Sequence, residues 1–249
     1  MRARGASCIS IRAGETGSLR KGKNMFVKKM ALCGAALLSL TAAPAMAGTA
    51  DGKFQVKVMG TAVLPDGKIS DLKVNAAGLP AGTQSAANDN VVPTLAVEYF
   101  LSPNFSVETI CCLTQHDVDG AGALAGTELV ANVKILPATV TAKFHFPIGG
   151  VKPYIGAGPT YFVFIGEKSG ATTKTLGLPR MQLDDKVGAV VQAGFDIPVN
   201  DKGFGISLDA KRYFVRPQGH WYNAAGTEMV GTRHKLDPWV LSAGVSYRF

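Results

Sequence analysis

From Pro238 to Phe249 the chain alternates between two kinds of side chain. Trp239, Leu241, Ala243, Val245, Tyr247 and Phe249 form an apolar set with aromatic ends; Val240, Ser242, Gly244, Ser246 and Arg248 are mostly small or polar. Successive strand side chains point to opposite faces, so this period of two predicts a strand with one greasy face and one polar face. A soluble sandwich strand shows the pattern briefly. Sustained this far with aromatic ends, it matches the roughly 9–11 tilted residues that a strand needs to cross a bilayer.

Seven further copies precede it. Lys53 to Val63 sets Phe54, Val56, Val58 and Ala62 against Gln55, Lys57, Met59 and Thr61, and similar alternation runs through Val92–Phe100, Phe105–Leu113, Thr139–Phe146, Val151–Ile165, Val187–Ile197 and Phe204–Phe214. Arg212 interrupts the apolar face of the seventh copy near its end, where an interfacial position or a bulge would accommodate it. Short turns (Ser102-Pro103-Asn104, Pro147 to Gly150, Asn200 to Gly203) alternate with long connections from Leu64 to Asn90, Gln115 to Asn132, Gly166 to Gln182 and Arg216 to Asp237, read here as loops. The pattern predicts an all-β fold: an eight-stranded antiparallel transmembrane β-barrel, an up-and-down meander behind a cleavable N-terminal signal peptide. Closure leaves no unpaired strand edge in lipid.

Outward aromatics segregate accordingly. Tyr99, Phe105, Phe144, Phe146, Phe195, Phe204, Tyr247 and Phe249 fall at the short-turn ends, and Tyr161, Phe214 and Trp239 near the loop ends. The alternative is a soluble secreted sandwich, which has no need of such girdles.

Composition agrees with one all-β domain: of 249 residues 47% are hydrophobic, 18% are charged and 29 are Gly. The formal charge of +8 would suggest nucleic acid, but residues 1–47 hold eight of the 26 Lys/Arg and one of the 18 acids, leaving 18 against 17. A mature chain near +1 has no excess of basic residues for phosphate recognition, so nucleic acid is excluded as a partner.

Lys28 and Lys29 precede an apolar run from Met30 to Leu40, and Ala45-Met46-Ala47 is a small-x-small cleavage site before Gly48. This is an export signal over residues 25–47, too short to span. Residues 1–24 read as a leader or a misassigned start, with Met25 the more ordinary initiator, and residues 48–249 as the barrel domain. Cleavage leaves only Cys111 and Cys112. Adjacent strand residues face opposite ways, so no disulfide is expected between them.

Several stretches carry a resemblance. Thr114-Gln115-His116-Asp117, Leu136-Pro137-Ala138-Thr139, Lys152-Pro153-Tyr154-Ile155-Gly156-Ala157-Gly158, Gly194-Phe195-Asp196 and Leu236-Asp237-Pro238-Trp239-Val240, with the terminal Tyr247-Arg248-Phe249, resemble in order and spacing the OmpW family of small outer-membrane barrels. The resemblance covers nearly all of Phe54 to Phe249. It implies integral location in the bacterial outer membrane, insertion by the barrel assembly machinery through Phe249, and uptake of small hydrophobic molecules. Cys111-Cys112 and Pro159 depart from the pattern, so side-chain detail near the third and fifth strands is not carried over.

Position along each strand gives depth in the lumen. Lys57, Glu98, Glu108, Lys143, His145, Lys152, Asp196 and Arg248 lie inward in the short-turn half, where they would pair and form a plug; Met59, Ile110, Phe162, Phe164, Val190 and Val240 lie inward towards the long loops, where they would line an apolar pocket open to the outside. Eight strands enclose room for side chains or one small ligand, not a water channel. A hydrophobic ligand entering from outside would meet the charged plug and leave sideways into lipid. Pro159 has no N–H for the ladder and marks a candidate lateral gate; a tolerated kink is the plainer reading.

His116, His220 and His234 fall in or beside long connections and His145 in the lower lumen, and none faces outward beside a Ser and an acid as a lipid hydrolase requires. No catalytic residue is assigned. His116-Asp117 offers two ligands where a metal site uses three or four, so no metal or cofactor is expected. Trp221-Tyr222 is a candidate contact for lipid headgroups or a partner, with an interfacial belt position as the plainer reading. Two other functions stay open: a surface adhesin or receptor for a bacteriocin or phage built on the long loops, and an envelope-stabilising barrel.

Overall fold

The computed structural model describes residues 48, 49 and 51–249. The expected signal at 25–47 and the leader at 1–24 lie outside the described residues. In chain order the elements are β1 (Phe54–Leu64), β2 (Lys68–Asn75), β3 (Thr83–Ala87), β4 (Asn90–Ser102), β5 (Phe105–Cys111), β6 (Thr114–Gly122), β7 (Glu128–His145), β8 (Lys152–Ile165) and β9 (Lys168–Ser169). There follow a single helical turn, α1 (Ala171–Thr175), then β10 (Arg180–Leu183), β11 (Lys186–Pro198), β12 (Phe204–Phe214), β13 (Gln218–Tyr222), β14 (Glu228–Lys235) and β15 (Trp239–Arg248).

Eight of these close an antiparallel barrel in the order β1-β4-β5-β7-β8-β11-β12-β15, with β15 returning to β1 through Val58↔Val245 and neighbouring pairs. The parity expected from sequence holds. Trp239, Leu241 and Val245 are 48%, 44% and 61% exposed on the outer wall, whereas Ser242 and Arg248 are 7% exposed within. The chain end is held in the wall: Phe54 N donates to Phe249 O (2.8 Å) and Phe249 N to Phe54 O (2.7 Å). Arg212, half-buried opposite Trp239 in the β12–β15 ladder, lays its guanidinium 5.2 Å from the indole centre, an attraction suited to the interfacial position.

The four long connections are corrected from loops to folded structure. β2, β14, β13 and β10 build a separate four-stranded sheet, while β3 and β6 continue the barrel sheet upward beside an extended β7. Between them lies an apolar core of Leu129, Val130, Leu178, Trp221 and Val230, so the loops form a cap. Bulges hid these strands from the sequence. The β14–β2 register slips between Gly231 and Thr232 and again between Arg233 and His234, shifting the phase so that Ile69 falls out of step with Leu72 and Val74.

Candidate functional site: the barrel lumen

The short-turn half of the lumen is filled by a buried lattice of charges. Lys57 Nζ lies 2.8 Å from Glu98, 3.3 Å from Glu108 and 3.1 Å from Asp196; Lys143 Nζ donates to Glu98 and Glu108, both at 2.9 Å; Lys211 Nζ reaches Glu108 at 3.1 Å and Asp209 at 2.6 Å. Neutral groups complete it: Gln192 Nε2 donates to Glu108 (2.9 Å) and Asp209 (2.6 Å), Tyr154 Oη to Asp209 (2.7 Å), and Ser207 Oγ to Asp196 (2.6 Å). Each ammonium meets at least two carboxylates, which is what makes burial of so many charges tolerable. Below them Arg248 Nε donates to Gly52 O (2.6 Å) and its guanidinium sits 3.6 Å from the Phe100 ring centre.

Seven of the eight residues placed in the short-turn half from sequence, Lys57, Glu98, Glu108, Lys143, His145, Asp196 and Arg248, are buried here. Lys152 is half-buried at the short-turn rim, opposite Asp196 in the ladder. Asp209, Lys211, Gln192 and Tyr154 are the participants that depth along a strand did not select. Asp209 and Lys211 are already inward by parity, and Lys211 starts too high; its long stem lets the ammonium reach Glu108 on the far wall.

His145 is also in this lattice, and its surroundings recombine residue types used in hydrolases. Its Nε2 lies 2.9 Å from Glu98 Oε1 and 2.8 Å from Ser106 Oγ, with all three residues fully buried. Acid and hydroxyl converge on the same ring nitrogen, so the carboxylate cannot orient the imidazole from the opposite side as a relay requires. Glu98, His145 and Asp196 also place ligand atoms within 4.8 Å of one another, but the Lys57 ammonium bridges the two carboxylates where a cation would sit.

The loop half of the lumen is apolar. Met59, Ile110, Phe162, Phe164, Val190 and Val240 all point inward, each buried, in one cluster continuous with the core of the cap. The expected pocket open to the outside is corrected to a packed column. Beside it lie a cavity of about 20 Å³ bordered by Cys112, Pro137, Phe162, Tyr213 and Val240, and one of about 40 Å³ under Trp221 in the cap. The folded loops close the mouth. A bound small molecule needs a site of roughly 300–1,000 Å³, which neither of these voids reaches.

The wall around this column is weakest at β7. The β7–β8 ladder runs from Lys134↔Ile165 to Thr139↔Thr160 and resumes at Ala142↔Ala157, lapsing opposite Gly158 and Pro159. On its other side β7 pairs with β5 up to Thr139↔Ile110 and with β6 from Ile135↔Thr114, lapsing across Leu136, Pro137 and Ala138. The two lapses differ. At Gly158 a Cβ would lie 1.9 Å from Val140 O, so the backbones there are pressed together, whereas Pro137 borders the 20 Å³ cavity.

The remaining histidines are structural in their contacts. His116 Nδ1–H donates to Asn88 O (2.6 Å) while Nε2 accepts from the Thr114 hydroxyl (2.9 Å), and burial pulls its pKa below the usual value. His234 is buried against Thr232 and Ser85, and desolvation lowers its pKa to about 4. Burial would lower His220 too, but its hydrogen bonds to Glu228 (2.7 Å) and Asp184 (3.3 Å) outweigh it and raise the pKa. Trp221, expected at a headgroup or partner, is 4% exposed in the cap core instead.

Comparison with known proteins adds to this geometry. A family model described as "OmpW family" matches residues 50–249. The chain is 34% identical over 226 residues to an uncharacterized outer-membrane protein of Sinorhizobium fredii, covering 87% of this chain and 91% of that one. It is 28% identical to outer membrane protein W of Vibrio cholerae, covering 89% of this chain and all of the other. Among solved structures, the crystal structure of OprG from Pseudomonas aeruginosa superimposes with a TM-score of 0.71 at 24% identity, over 82% of this chain and 99% of that one, which is a likeness of fold.

Proposed function

Since the chain belongs to the OmpW family, and is therefore an integral protein of the bacterial outer membrane, we propose that it takes up small hydrophobic molecules through the apolar half of its lumen and releases them sideways beside β7. The observation that carries this reading is the junction at mid-barrel. A buried charge lattice lies immediately below an apolar column whose wall loses its ladder on both sides of one strand.

A greasy molecule descending from the cap would displace Phe162, Phe164, Val190 and Val240 contacts with its own at little net cost. At the level of Lys211 it would meet ion pairs that it cannot replace, since separating buried charges costs several kcal/mol. The lipid beyond the wall is as apolar as the column, so the downhill direction is lateral. Pro137 and Pro159 supply the two lapses on either side of β7, with Pro137 the nearer to free space.

Entry requires the cap to part. Proteoliposomes carrying Pro137→Val and Pro159→Val separately and together, assayed for uptake of a naphthylamine probe, test the proposal. Restored pairing should slow uptake severalfold, most in the double variant. Unchanged uptake in the double variant removes the lateral exit, and a wild-type rate no higher than in empty vesicles removes the uptake reading in favour of a receptor or structural role for the folded cap.

A further inference from the structure

The cap carries a concavity whose chemistry is opposite to that of the apolar half of the lumen. A crevice of about 580 Å³ opens between the β9–α1 segment and the β10–β13 ladder, within the range of small-molecule sites. Lys168, Lys174 and Arg180 line it against the single acid Glu167. Arg180 Nη2 donates to Asn223 O (3.4 Å), and Gly226 (φ +88°) leaves room for it, since a Cβ there would lie 2.9 Å from Nη2.

Ser169 supplies an independent sign. It lines the crevice, is 2% exposed, and its hydroxyl has no hydrogen-bond partner among the described residues. A buried polar group without a partner costs free energy and calls for an explanation such as a ligand atom. Tyr222, opposite Arg180 in the ladder, contributes an aromatic side chain to the same wall.

We propose that this crevice binds an anionic saccharide, a sugar bearing a phosphate or a carboxylate. The planar guanidinium and the two ammonium groups match the anion, with the Arg fork suited to two oxygens at once. The volume exceeds what a bare phosphate would fill, and a ring of hydroxyls meets the Ser169 hydroxyl, the Gln182 amide and the Tyr222 side chain. Such a sugar has two sources in this setting: the saccharide of a neighbouring glycolipid in the outer leaflet, or a soluble molecule outside the cell.

The test uses the mature protein in detergent micelles, titrated calorimetrically with glucose 6-phosphate, glucuronate and glucose. Both anions should bind about tenfold or more tightly than glucose, more weakly as salt rises, and Arg180→Glu should weaken them by a similar factor. Ser169→Ala should cost severalfold while leaving the salt dependence intact. Heat-modifiable migration on gels checks folding; Lys174→Glu, on an exposed helical turn, gives a second charge reversal. Repeating the titration of glucose 6-phosphate in nanodiscs with and without lipopolysaccharide separates the sources: competition by the lipopolysaccharide identifies the glycolipid, and no competition the soluble sugar. Equal affinity for glucose and glucose 6-phosphate, or anion binding untouched by both charge reversals, would overturn the proposal.

Discussion

The short-turn half of the barrel and the cap are parts of one chain with interiors of opposite kinds. Within the membrane the outer wall is apolar, Val58, Leu208, Leu241 and Val245 among it, and the centre holds Lys57, Lys143, Lys211, Glu98, Glu108 and Asp209. In the cap the centre is Leu129, Leu178, Trp221 and Val230, and the outside carries charges such as Lys68, Asp71, Lys73 and Arg180. One rule produces both. Each strand must show lipid or water the face that solvent tolerates, and whatever remains is turned inward; in lipid the remainder is free to be polar, as it is in the short-turn half of the barrel, and in water it is apolar.

The sharpest way to break this contrast is to put a residue suited to the cap into the barrel. Glu108 accepts from Lys57, Lys143, Lys211 and Gln192, so Glu108→Leu leaves three ammonium groups short of a partner and should destabilise the barrel by about 3–5 kcal/mol. Urea unfolding in lipid vesicles measures this, and adding Lys211→Met should recover part of the loss. No loss in the single variant would show that water reaches the lattice.

Next in size is the reverse insult, a charge on the lipid face. Leu208 pairs with Ala243 near the middle of the belt, and Leu208→Arg should cost about 2–4 kcal/mol by the same assay, falling towards zero for a substitution at the girdle. A cost independent of depth would contradict the placement of the belt.

The smallest effect sharpens the contrast by confining a change to the cap. Burial holds His234 at a pKa of about 4 against the usual 6.5, so the unfolded chain binds a proton that the folded cap refuses. Cap stability contributed by neutral His234 is therefore complete above about pH 6.5 and is lost as pH falls towards 4. His220, raised by Glu228 and Asp184, works in the opposite sense but is partly exposed and screened. Proteolysis of the β13–β14 hairpin should quicken between pH 6.5 and 4.5 with the barrel unchanged, and His234→Gln should flatten that profile.

What sequence alone determined was the parity of the eight long strands, and with it the barrel, the girdles, the outward Trp239 and the inward Arg248. Membrane strands admit little irregularity, so a period of two survives over their whole length. The cap strands were illegible for the converse reason: bulges in β14 and the shortness of β3 and β10 break the period, and only the packing of one sheet on another selects their register. The lumen divides along the same line. Sign and depth of most of its charges follow from position along a strand, whereas the membership of Lys211, Asp209, Gln192 and Tyr154, the filling of the apolar column, and the double lapse around β7 depend on distances across the barrel, which no single strand encodes.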